Sequence, residues 1–157
     1  MTTGVGVSLG HRPLSEADHW ILALTPPPAL ACTHLVKEPY PHVAISLVTT
    51  AAYDTAPELR DAAEAAASGR CGRAVLYPGV AHLVGTLTVA EVLAVSAIDR
   101  VEVLGAGVAS PDALLDTGDH VRPVFRDGSL VLTATPAAGG RLVPFERRDP
   151  TPCCAAH

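Results

Sequence analysis

The sequence predicts an α/β protein, in which a small sheet has parallel βαβ units in the first part of the chain and an antiparallel meander at the C-terminal end. Two observations carry this prediction. A β-branched apolar run at residues 42–51 is followed by a helix pattern and by a second apolar run at 73–79, the order of a βαβ unit. Near the C-terminus, short apolar runs are separated by Asp-Gly and Gly-Gly pairs, which favour antiparallel hairpins.

The elements of the first part follow from periodicity and from capping residues. Residues 20–24 (WILAL) stop before three prolines and predict a short edge strand. The continuous run at 42–51 predicts a central strand that is buried on both faces. Thr55, with Glu58 three residues later, forms a capping box and predicts a helix over 56–68.

The second part begins with another capping signal, which predicts a helix over 89–97 and then a strand at 100–105. A Ser-Pro pair predicts a short helix over 110–115. The remaining apolar runs predict strands, at residues 121–125, 129–134 and 141–145. We therefore expect one α/β domain over residues 1–146, followed by a C-terminal tail over 147–157 that contains cysteine and histidine.

Charge and composition exclude several classes of partner. The net charge is −5 with 11 basic residues in all, so a nucleic-acid-binding surface is not expected. Residues 79–98 are apolar over the length of a membrane span, but Glu91 near the middle and the helix start before it argue against membrane insertion. Without a basic flank and apolar stretch at the N-terminus, a cytoplasmic location is expected.

The chain contains no Asn or Gln and has one Lys against ten Arg, a bias that indicates a GC-rich bacterial genome. Because no carboxamide side chain exists, polar recognition depends on hydroxyl, imidazole, guanidinium and carboxylate groups or on the backbone. Uncovered edge strands of a small sheet would also permit a homodimer.

The first candidate site is a metal site, made of Cys and His residues from two distant segments. Cys32 and His34 are two residues apart, so in an extended strand their side chains share one face. The tail adds Cys153, Cys154 and His157. Thiolate and imidazole ligands are typical of zinc, and also suit iron, and two half-sites supply the four ligands of a closed zinc site. Adjacent cysteines usually point apart, so one of the pair would have another purpose.

The second candidate site follows from topology, because open α/β sheets bind ligands at the carboxyl ends of their parallel strands. Those ends carry Asp54 and His82, which predict acid–base catalysis on a small molecule. Both residues also have ordinary interpretations, since Asp54 precedes a helix and His82 lies in a loop.

Two further patterns have simpler explanations. Residues 104–110 (LGAGVAS) follow a strand like a dinucleotide fingerprint, but too little chain remains for a second parallel strand, so NAD or FAD is not expected. Asp116, Asp119 and His120 offer metal-binding groups, although Asp and Gly before a strand are ordinary turn residues. The sequence thus predicts a small metal-binding protein, catalytic if the metal keeps an open position. The alternatives are a metal-free enzyme of small molecules and an interaction protein.

Overall fold

The computed structural model describes residues 3–49, 53–68 and 72–147. The helices of these residues are α1 (Leu14–Leu22), α2 (Arg60–Ser68) and α3 (Val89–Val95). The strands are β1 (Thr3–His11), β2 (Leu30–Val36), β3 (His42–Thr49), β4 (Arg73–Leu76), β5 (Thr86–Thr88), β6 (Arg100–Val103), β7 (Gly107–Val108), β8 (Leu114–Asp116), β9 (Val124–Arg126), β10 (Ser129–Pro136) and β11 (Leu142–Pro144). The chain divides into two compact units, residues 1–78 with 124–128, and residues 79–123 with 129–157. The single domain over residues 1–146 stays a prediction.

The first unit contains an antiparallel sheet with the strand order β1-β3-β2-β4-β9. β3 pairs with β1 on one side and with β2 on the other, and β4 pairs with β2 and β9, in every case antiparallel. The predicted parallel βαβ unit is therefore wrong. Its strand, helix and strand exist as β3, α2 and β4, but β2 lies between the two strands.

The physical reason is a hairpin that the sequence prediction did not include. Residues 30–36 form β2 and pair with the whole of β3, from Leu30 opposite Val48 to Val36 opposite His42. A strand that follows another after a short turn pairs with it before a more distant strand can do so. The two neighbours of β3 are therefore β1 and β2, and the next strand along the chain must pair elsewhere.

The predicted edge strand at residues 20–24 is also wrong, because Trp20 to Leu22 form the end of α1. Leu14, Ala17 and Ile21 recur at the spacing of a helix, and Ala17 and Ile21 are fully buried. A five-residue apolar window at the end of an amphipathic helix resembles a strand when the earlier turns are left out.

The helix α2 lies at the predicted position, but its N-terminal cap differs from the prediction. Thr55 does not cap it: the Thr55 hydroxyl accepts a hydrogen bond from the Ser8 N–H and donates one to the Ser8 carbonyl, at 3.2 Å. A short 3-10 turn, Pro57–Leu59, precedes the helix and has no side-chain cap. Thr55 therefore ties this segment to β1.

The second unit has the strand order β5-β8-β11-β10-β6-β7. β10 pairs with β11 antiparallel, but it also pairs with β6 in parallel over four residues, and β8 pairs with β11 in parallel at Leu115 and Leu142. The predicted antiparallel pairing of the last two strands, β10 and β11, is therefore confirmed. The prediction did not include the parallel pairing of β6 and β8, from earlier in the chain, with these strands.

The predicted cap of helix α3 is confirmed, whereas the helix predicted at residues 110–115 is not. The Thr88 hydroxyl accepts a hydrogen bond from the Glu91 N–H at 3.1 Å, as the capping signal predicts. The helix predicted at 110–115 is wrong, because Leu114–Asp116 form β8 and pair with β5. No helix among the described residues is long and apolar enough to cross a membrane.

Candidate functional site

A pocket of about 290 Å³ opens on the face of the first-unit sheet that contacts α2. Seven lining residues are glycine or apolar: Gly4, Leu30, Leu47, Val48, Ala67, Phe125 and Gly128. The other three, Cys32, His34 and Ser46, are polar or ionisable. The pocket therefore has an apolar wall and one polar end.

Strand register places the three polar side chains together. Cys32 is directly opposite Ser46 in the β2–β3 pairing, and His34 lies two residues further along β2. Residues that alternate along a strand, and residues opposite each other across a pair, share one face of the sheet. The predicted common face for Cys32 and His34 is confirmed.

Gly72 lies directly against the side chains of Cys32 and His34. A Cβ atom at this position would lie 2.7 Å from His34 Cε1 and 3.0 Å from the Cβ of Cys32. A larger residue would push both side chains away. The Gly72 carbonyl accepts a hydrogen bond from the Phe125 N–H at 3.0 Å, which holds β9 and its aromatic side chain at the pocket.

Hydrogen bonds link the polar side chains through Ser46. The Ser46 hydroxyl lies 2.7 Å from His34 Nε2 and is also hydrogen-bonded to the Cys32 thiol. Burial raises the pKa of Cys32 to about 11, and the hydrogen bond from Ser46 offsets part of this rise. At neutral pH the side chain is consequently a protonated thiol, which is a weak nucleophile.

The structure brings together only one half of the predicted metal site. Cys153, Cys154 and His157 lie outside the described residues. Within the described part of the chain, Cys32 and His34 have no third Cys, His, Asp or Glu close enough to form a metal-binding group. A zinc or iron site at these residues stays a prediction that depends on the tail.

The predicted catalytic residues lie in different units. Asp54 is exposed in the segment before the Pro57–Leu59 turn of the first unit. His82 is exposed at the end of a 3-10 turn, Val80–His82, of the second unit. The parallel strands on which this prediction depended do not form, so it stays a prediction without its topological support.

The second unit contains a smaller pocket of about 170 Å³ with a charged lining. Asp116 and His120 line it with Glu146 and Arg147, and His120 Nε2 lies 2.8 Å from a Glu146 carboxylate oxygen. This pairing ties the 117–120 loop to the segment after β11. Asp116, discounted as a metal ligand in the sequence, accepts a hydrogen bond from the Gly118 N–H at 3.2 Å, which is a turn role.

Asp119 has a turn role as well. Its φ of 55° places it in the left-handed region, where Asp is tolerated, and its carboxylate accepts a hydrogen bond from the Gly85 N–H at 3.2 Å. Thr117 donates to the Gly85 carbonyl at 2.8 Å. The loop carboxylates therefore have structural partners, and the pocket of the first unit is the better candidate site.

Sequence reasoning missed Ser46, Ala67 and Phe125 as pocket residues. A signal for Ser46 was available, since it is a lone hydroxyl in the apolar run of β3. No local signal marks Ala67 or Phe125, because they reach the pocket through the packing of α2 and the pairing of β9. Comparison of the chain with protein-family models, curated proteins and solved structures gives no match.

Proposed function

We propose that the first unit binds a small, largely apolar organic molecule in the pocket between β2, β3 and α2. The observation that carries the proposal is the lining, where seven glycine or apolar residues surround a polar end of three hydrogen-bonding side chains. Ligand pockets in proteins have this composition, with few polar groups that orient the ligand.

The volume limits the size of the ligand and its affinity. If each non-hydrogen atom needs roughly the 30 Å³ of a liquid water molecule, the pocket accommodates about ten such atoms. At about 0.3 kcal/mol per atom, the binding free energy is about 3 kcal/mol, which corresponds to a Kd near the millimolar range. Binding of this strength is measured by NMR titration.

A matched pair of helix variants tests the proposal with octan-1-ol as the probe. Ala67 lines the pocket, whereas Ala65, on the same helix, is exposed and does not line it. Ala67→Leu places a larger side chain at the opening and should weaken octan-1-ol binding at least about tenfold, equivalent to 1.4 kcal/mol. Ala65→Leu should leave binding unchanged.

Shifts of the amide resonances of β2 and β3 report occupancy of the pocket. Concentration-dependent shifts of similar size in the unmodified protein and in Ala65→Leu, and much smaller shifts in Ala67→Leu, support the proposal. Absence of concentration-dependent shifts in the unmodified protein, or equal shifts in both variants, contradicts it.

The second candidate function is the metal site predicted from the sequence. The observation in its favour is that β2 places the Cys32 thiol and the His34 imidazole on one face of the sheet. Cys153, Cys154 or His157 would complete a zinc or iron site, and an open coordination position would permit hydrolysis by a metal-bound water. A reducing cytoplasm is the proposed location, since it would keep Cys32 as a free thiol.

Removal of residues 150–157 tests this second function. If the tail helps to hold zinc, the full-length protein should carry about one ion per chain, and a chelator should lower its Tm by about 5 to 10 °C. The same chelator should leave the truncated protein unchanged. Equal Tm values for the two chains, with and without chelator, contradict a metal site that includes the tail.

A further inference from the structure

The second unit has a charged pocket beside the turn that joins β10 to β11. The pocket is lined by the turn residues 137–139 and by Asp116, Arg141, Val143 and Arg147. It adjoins the pocket of about 170 Å³ in the same unit, because Asp116, Val143 and Arg147 line both. Its ionisable groups are therefore two guanidinium groups and one carboxylate.

Strand pairing places these groups on one face of the second-unit sheet. Leu115 of β8 lies opposite Leu142 of β11 in a parallel pair, and both leucines are buried. The residues that follow them, Asp116 and Val143, therefore point to the other face. Arg141 shares that face with Val143, because it is two residues away and its backbone is extended. Groups of opposite charge thus approach the pocket from neighbouring strands.

The charged groups of this pocket have no charged partner within the described part of the chain. The guanidinium groups of Arg141 and Arg147 form no ion pair or hydrogen bond with a described residue. The Asp116 carboxylate accepts one hydrogen bond, from the Gly118 N–H at 3.2 Å. An ionised carboxylate has two acceptor oxygens, so this turn contact leaves room for another donor.

We propose that this pocket takes a small zwitterion with one carboxylate and one ammonium group, the chemistry of a free amino acid. The carboxylate of the ligand lies against Arg141 and Arg147, whose planar N–H groups suit carboxylate oxygens, and the ammonium group lies against Asp116. A simple anion would be repelled by Asp116, and a simple cation by both arginines. A zwitterion pairs both signs of charge. This inference concerns the second unit and does not depend on the pocket of the first.

Three probes test the charge preference on the unmodified protein. L-alanine carries both charged groups, propionate lacks the ammonium group, and ethylamine lacks the carboxylate. NMR titration at equal ionic strength follows the amide resonances of residues 116–118 and 137–143. We expect L-alanine to bind at least about threefold more tightly than either of the other probes, the modest factor that exposed ion pairs supply.

A pair of carboxylate variants locates the partner of the ammonium group. Asp116→Asn removes the charge but keeps an acceptor for the Gly118 N–H, so the turn is retained. It should abolish the preference for L-alanine over propionate. Asp112→Asn, at an exposed position of the same unit that does not line the pocket, should leave the preference unchanged.

A pair of arginine variants locates the partner of the carboxylate. Arg141→Met keeps an unbranched stem without the guanidinium group, and should weaken binding of L-alanine and propionate at least about threefold without weakening ethylamine. Arg60→Met, at an exposed position of the first unit, should change none of the three affinities.

The outcomes decide between a zwitterion site and simpler alternatives. A preference for L-alanine that disappears in Asp116→Asn and persists in Asp112→Asn supports the proposal. Equal or tighter binding of propionate by the unmodified protein overturns it, because the pocket would then be a simple anion site. A preference that persists in Asp116→Asn, or the absence of concentration-dependent shifts with all three probes, also overturns it.

Discussion

The two faces of the first-unit sheet are packed in different ways. On one face, α1 covers a closed core of large side chains, which includes Val7, Val43 and Ile45 with Ile21 from the helix. On the other face, α2 contributes mainly alanines and packs against Gly6 of β1. Small residues allow close approach of helix and strand. The pocket lies on this face and is lined by Ala67 of α2 and by Cys32, His34 and Ser46 of the sheet.

The polar side chains of the two faces also differ in their surroundings. On the α1 face, Asp18 and Arg73 form a double hydrogen bond at 2.6 and 2.7 Å, and Arg73 also donates to the Thr33 hydroxyl at 3.1 Å. These side chains are about one-tenth exposed, 9% for Asp18 and 12% for Arg73. On the α2 face, the polar groups line an open pocket. The first set links α1 to β2 and β4, whereas the second borders the pocket.

The largest expected loss of stability comes from removing the Asp18–Arg73 ion pair on the α1 face. Asp18→Ala leaves the Arg73 guanidinium buried without its carboxylate and should lower the free energy of unfolding by about 3 to 5 kcal/mol. Leu22→Ala, at a position of the same helix that is 56% exposed, is the control and should cost much less. Urea unfolding measures both. A loss below about 1 kcal/mol for Asp18→Ala would show that the ion pair adds little to stability.

A smaller effect tests the close approach of α2. The Cβ of alanine at Gly6 would lie 1.7 Å from the Ala63 carbonyl oxygen, whereas at Gly4 it would meet no atom within 4 Å. Gly6→Ala should therefore lower the free energy of unfolding by about 1 to 3 kcal/mol, the usual cost of overpacking. Gly4→Ala should change it by less than about 0.5 kcal/mol. Equal effects of the two substitutions would contradict the observed packing of α2 on β1.

The smallest effect concerns the pH dependence of the open face. Burial raises the pKa of the Cys32 thiol from its ordinary value of 9.0 to about 11 in the folded protein. Between pH 9 and pH 11 the unfolded chain loses the thiol proton while the folded protein keeps it. The contribution of Cys32 to the free energy of unfolding is therefore fully present below pH 9 and is lost as the pH rises toward 11. Two pKa units correspond to at most about 2.7 kcal/mol.

A double comparison isolates this contribution from other groups that titrate in the same range. The loss of unfolding free energy between pH 8 and pH 10.5 should be larger in the unmodified protein than in Cys32→Ala, by on the order of 1 to 2 kcal/mol. Parallel pH profiles for the two proteins would show that the Cys32 thiol is not shifted.

Part of the candidate site could be predicted from the sequence. Cys32 and His34 were identified from their spacing, because alternation along a strand depends on local backbone geometry alone. The position of Ser46 opposite Cys32 was not predicted, because the strand register depends on which strand pairs with β3 and on the turn between the two strands. The catalytic hypothesis for Asp54 and His82 depended entirely on strand partners, and for that reason it lost its support when the pairing proved different.

The sequence by itself determined the elements whose signals are local. The apolar runs and the helix pattern located β3, α2 and β4. The Thr88 hydroxyl caps α3, as its capping signal predicts. Asp127 and Gly128 have the left-handed φ values of 50° and 83° that such a turn requires. Only the tertiary structure decided the order of the strands, the helical state of residues 20–22 and the pocket beside α2. These features depend on contacts between residues far apart in the chain, and a local sequence pattern does not show which distant residues will make contact.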